Sequence, residues 1–166
     1  MAVRNLAELG ENLQKIMSRL MDTTRNQNLL KLLYYTDKDP LSKEDLTEAM
    51  VKQKIYEKLI KITPKYTDDD SAQSAIIIKV NGGRQLADND EFKDIELSLE
   101  VFVPLTQWII KNSNLRPFAI LGEMQKTLDN LTINGLGKLQ CGEFRLSMLT
   151  DEVSCYTLEC HITSYD

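Results

Sequence analysis

The chain carries one histidine, His161, and three cysteines, Cys141, Cys155 and Cys160. A thiol beside an imidazole is the minimum for nucleophilic catalysis, provided that the side chains meet and an acid orients the ring. Here Tyr156, Leu158, Cys160 and Ile162 alternate with Thr157, Glu159, His161 and Thr163. In a strand the two sets point to opposite faces, so Cys160 and His161 turn away from each other. Cys155 and Cys160 fall on opposite faces by the same rule and cannot bridge. No CxxC or Cys/His zinc spacing occurs. Three reduced, mostly buried thiols are the expectation, and with them a reducing cytosol as the site of assembly.

The carboxylates and glycines point to no sharper chemistry. Glu96 and Glu100 share the polar face of one strand, a spacing open to acid–base work but routine in antiparallel sheets. Asp68, Asp69 and Asp70 would alternate in direction along an extended chain, and no glycine-turned ligand spacing follows them, so they read as a solvated acidic loop. Gly82-Gly83-Arg84 lacks the pattern of a phosphate cradle. Gly135-Leu136-Gly137 stands between a helix and a strand, the reverse of a dinucleotide motif. The expectation is a protein that is not an enzyme, with no catalytic, cofactor-binding or metal-binding residue.

The elements that would position any site are clearer. Leu6, Leu9, Leu13, Ile16, Met17 and Leu20 recur at helical spacing, and a second helical run follows the break at Asp22-Thr23-Thr24 to about Tyr35. One bent helix or two would both fit. Ser42 with Asp45 resembles a capping box, predicting a short helix from Lys43 to about Lys52. Strands are predicted at about 57–63, 75–81, 138–149 and 153–165. Ile95, Leu97, Leu99, Val101 and Val103 alternate with Glu96, Ser98 and Glu100 in a further strand with one buried face. The last two strands read as a hairpin, with Phe144, Leu146 and Met148 on one face. Asn81-Gly82-Gly83-Arg84 is expected to turn the chain, and 81–91 to form a long loop able to reach a neighbour. From Pro104 to Ile110 the chain is neither clean strand nor helix and holds the only tryptophan, Trp108. It fits core packing or an interface anchor. A helix over 117–131 follows. The fold class is therefore α+β: a mostly antiparallel sheet of about four or five strands with helices on one face. One domain spans 1–166, with a helical segment at 1–52 and the sheet at 53–166.

At 166 residues, 42% hydrophobic and 27% charged, the composition is that of an ordinary globular domain. A net charge of −5 argues against a basic nucleic-acid footprint. No signal-peptide core and no apolar run of membrane-spanning length are present. Ile77 and Phe102 fall on the otherwise polar faces of their strands, so helices must cover both faces or a second subunit must cover one.

Three stretches, NQNLLKLLYYTDKDPLSKEDLT, ELSLEVFVPLTQWIIKNSNLRPFAILGEMQKTL and SCYTLECHITSYD, resemble neck and tail-completion proteins of tailed bacteriophages. The element order is similar to that of the tail-terminator family. The resemblance implies a virion protein assembled in the host cytoplasm, whose copies form a hexameric ring capping the tail tube. Its partners would be itself, the tail tube protein, the head–tail connector and a sheath component. DNA would pass through the lumen without sequence-specific binding. No reactive residue carries over. The candidate interface residues are Asp68, Asp69, Asp70, Arg84, Gln85, Phe102 and Trp108. A head-completion or adaptor protein on the portal side, and a non-viral α+β binding module, are the other readings.

Overall fold

The alternating run about Leu97 forms β3 (Phe92–Pro104), which lies inside the sheet in a computed structural model describing residues 6–63, 73–85, 92–133 and 137–163. Its neighbours are β2 (Ala75–Gln85) and β6 (Val153–Thr163), both antiparallel to it. The two-residue strand β1 (Ile60–Lys61) adds to β2 in parallel. On the other side β5 (Gly137–Leu149) pairs with β6, and the two-residue strand β4 (Thr132–Ile133) pairs with the start of β5. The order β1-β2-β3-β6-β5-β4 makes six strands, one or two more than the hydrophobic pattern predicts. The strand with no predicted counterpart is β4, two residues long and too short to show a periodicity, while β1 falls within the predicted strand at 57–63.

Four helical segments cover one face. They are α1 (Ala7–Leu20), α2 (Gln27–Tyr34), α3 (Glu48–Met50, continued as a π-turn over Val51–Ile55) and α4 (Arg116–Leu128). Ile95, Leu97, Leu99, Val101 and Val103 of β3 face this layer and are buried against Ile16, Leu30, Ile120 and Met124, among others. The chain breaks cleanly between α1 and α2. Asp22 accepts from the backbone N–H and hydroxyl of Thr24, and those bonds hold its carboxyl below the usual carboxylate range. The Asn26 side chain reaches back to the carbonyls of Arg19 and Leu20 at the end of α1 and accepts from Thr127 of α4. One amide thereby ties three helices together.

Several expectations shift. The third helix starts at Glu48 rather than Lys43, because Ser42 spends its hydroxyl on the Asp39 carbonyl while Thr47 accepts from the Met50 N–H. The predicted strand at 57–63 shrinks to Ile60–Lys61: Glu57 takes a left-handed conformation, φ 52°, and Lys58 and Leu59 fold back onto the Ile55 carbonyl. Asn81-Gly82-Gly83-Arg84 does not turn the chain. It continues β2 through register shifts on either side of Gly82, as glycines inside strands often do. A second bulge at Ser147 in β5 sends Met148 to the opposite face from Phe144 and Leu146.

The cysteine expectation is also overturned. β5 and β6 bring Cys141 directly opposite Cys160, Cα to Cα 4.2 Å, and the two form a disulfide. Only Cys155 stays a free, buried thiol. Pairing across two strands depends on register, which residue spacing within one strand does not reveal. The inference of a reducing compartment loses its premise.

Candidate assembly surface

The segment from Pro104 to Leu115 is held by one buried cation. Arg116 is fully buried, and its guanidinium donates to four main-chain carbonyls: Gln107 at 3.0 Å, Leu32 at 2.6 Å, Tyr35 at 2.7 Å and Asp37 at 2.5 Å. Two of these lie at the C-terminal end of α2, where a positive charge is favoured. Its own N–H donates to the Trp108 carbonyl at 2.8 Å. Burial pushes the Arg116 pKa down to about 10, with Asp37 acting the other way, so it remains charged at neutral pH. Nothing in the local pattern around Arg116 marks it as a core residue. Only the convergence of carbonyls from separate segments does.

This anchor places Trp108 at a corner where the core opens to solvent. The Trp108 ring lies 6.1 Å from that of Tyr156, which lies 5.1 Å from Phe118, and Phe118 meets Phe144 edge-on at 6.1 Å. Trp108 and Tyr156 are half-buried. Phe118, Phe144, Leu146 and Ile109 are 41, 59, 51 and 58% exposed, well beyond what a side chain inside a single chain's core shows. A shallow cleft of about 430 Å³, lined by Lys38, Leu105, Thr106, Trp108 and Ile109, continues the corner. Contiguous exposed apolar groups of this kind mark interaction sites.

The corner runs along an open sheet edge. β4 covers β5 only at Gly137 and Lys138. At Cys141 the end of α4 takes over: Gln125 donates to the Cys141 carbonyl and the Asp129 carboxylate accepts from its N–H. From Glu143 to Leu149 no strand among the described residues pairs with the outer side of β5. Exposed edges carrying apolar side chains are templates for pairing with another chain.

The reverse face of the sheet is polar and carries both signs of charge. Glu96, Glu100, Glu143 and Glu159 share it with Lys61, Lys79, Lys138 and Arg145, with Lys79 on Glu100 at 2.5 Å and Arg145 on Glu159 at 3.0 Å. His161 stands opposite Glu96, away from Cys160. At one end of this face Ile77, Phe102, Val153 and Cys155 form a small second apolar cluster with Met148. Burial there pushes the Cys155 thiol up to about 12, so it stays protonated and unreactive in the folded chain.

The candidate interface residues are dispersed. Asp68, Asp69 and Asp70 lie outside the described residues, as does 86–91 of the expected loop. Arg84 sits on β2 in an exposed ion pair with Asp94 at 3.0 Å; Gln85 ends the same strand. Phe102 does not look outward: only 6% of it is exposed, because the second cluster covers it. Trp108 alone belongs to the apolar corner. Pattern reading missed Phe118, Phe144 and Leu146, which fit the apolar stripes of their elements and therefore pass for core. No local signal could have found them, because an apolar stripe does not record whether another element covers it.

No curated protein matches the chain. The model of the YomW family matches residues 26–162, most of the chain, and the chain belongs to that family. The family is phage-related, which suggests a phage-associated protein.

Proposed function

We propose that this YomW-family chain is a structural protein of the phage neck. It would be a tail terminator whose copies close as a ring, a hexamer by resemblance, on the last layer of the tail tube and offer a surface to the head connector. The observation that carries the reading is the exposed corner of Trp108, Phe118, Phe144 and Leu146 beside an open sheet edge, a surface suited to assembly. Phage association and the order of helices, strands, helix and closing hairpin agree with it. The action needs no turnover: a bound ring occupies the site where the next tube layer would add.

The test is a phage from which this gene is deleted. A terminator's loss leaves tails of uncontrolled length, and the purified chain added back caps them as rings visible by electron microscopy. Normal-length tails beside filled, tailless heads would instead place the protein on the portal side, as a head-completion factor. Charge reversal at Asp69 and Asp70 should impair assembly or DNA passage if that acidic segment lies on a ring surface; unchanged infectivity would remove it from the interface.

A further inference from the structure

One acid on the polar face of β5 is unmatched. Glu143 is exposed, stands directly opposite Glu159 across the β5–β6 pair, and has no ion-pair or hydrogen-bond partner among the described residues. Arg145, two residues along β5, is bound to Glu159. Like charges facing each other across a ladder are unfavourable, so the free chain holds two acids against one base on an otherwise open edge. Register shifts on either side, around Gly142 and Ser147, confine the regular part of that edge to Glu143–Leu146. Beyond it, towards Cys141, α4 already satisfies the backbone.

We propose that the free chain pairs with a second copy of itself through β5, antiparallel about a two-fold axis at Phe144. In an antiparallel pair, residues directly opposite each other share a face. An axis at Phe144 therefore sets Glu143 of each copy opposite Arg145 of the other, two reciprocal ion pairs that supply the missing cation. An axis at Arg145 would oppose two arginines. An axis at Leu146 would, after the bulge, set Phe144 of one copy against Met148 of the other, which points to the other face. On the helix side, the Phe144 axis joins the two Phe144 rings and covers Leu146 and Phe118 from both copies. The bulge at Ser147 bends the rest of each strand away from the covered edge at Cys141. The occupant of the corner in solution is thus the same corner of another copy, an isologous contact. This pair requires no neck role; in the neck reading it keeps the corner covered until the tail tube is engaged.

The experiment uses the full chain. Wild type should sediment as a dimer at micromolar concentration, and Glu143→Arg should raise the dimer dissociation constant at least tenfold, while Glu143→Arg with Arg145→Glu restores it. Phe144→Cys, on an exposed position that folding does not need, should give a covalent dimer under mild oxidation. Leu41→Cys, at a position also exposed (44%) and in the separate Pro40–Ser42 segment, should not. A monomer at these concentrations, or a larger ring without Phe144→Cys cross-linking above the Leu41→Cys control, would overturn the two-fold pair. The first result leaves the neck reading standing, and the second supports that reading, so the two ideas fail separately.

Discussion

Four main-chain carbonyls from two separate segments, 32–37 and Gln107, converge on the guanidinium of Arg116, and no other side chain shape could reach them all. Arg116→Met removes every donor and leaves buried acceptors unsatisfied, a loss of roughly 3–5 kcal/mol. Its urea midpoint should fall steeply, and Arg116→Lys should recover only part of it, since an ammonium cannot span the fork. Cys155 gives a second residue-scale expectation. Burial raises its thiol from the ordinary value near 9.0 to about 12, so above pH 9 the folded state holds a proton that the unfolded state releases. Stability from this group is complete below pH 9 and declines as pH climbs towards 12. The difference in urea midpoint between wild type and Cys155→Ala, followed from pH 8 to pH 10.5, should shrink or change sign in that direction. A difference that stays flat would show that Cys155 is not the titrating group.

At the scale of elements, α1 and α4 each carry a glycine with open space around the position of a Cβ: Gly10 and Gly122. Neither has a conformation that needs glycine. Gly10→Ala and Gly122→Ala should each stabilise the chain by about 0.5–1 kcal/mol, read as a rise in thermal midpoint, through backbone entropy alone. The β5–β6 hairpin is closed by a turn in which Thr150 accepts from the N–H groups of Glu152 and Val153 and donates to the Val153 carbonyl. Thr150→Val keeps the shape and removes these bonds, and should cost about 1 kcal/mol while leaving the far-ultraviolet spectrum unchanged.

For the whole molecule, the Cys141–Cys160 bridge closes a loop between positions 19 apart, which includes the terminal hairpin. A closure of that length stabilises by roughly 3 kcal/mol in the chain-entropy account. Reductant should lower the thermal midpoint of wild type, with alkylation of two more thiols read by intact mass, and leave Cys141→Ser/Cys160→Ser unaffected. The apolar corner belongs to the same scale, because it exists only where the helix layer ends before the sheet does.

Periodicity determined most of this architecture. The run Ile95 to Val103, the stripe of α1 and the final hairpin could be read directly, because one buried face stamps a period of 2 or 3.6 on local sequence. From the same residues Cys155 and Cys160 were placed on opposite faces, and the stretch about Trp108 was recognised as irregular. Tertiary structure alone decided which strands lie side by side. That pairing set Cys141 on Cys160, buried Phe102 under a second cluster, and drew four distant carbonyls onto Arg116. It also left Phe144 and Leu146 bare. Local pattern records that a side chain is apolar; whether anything covers it depends on where another element happens to end, and that is a property of the assembled chain.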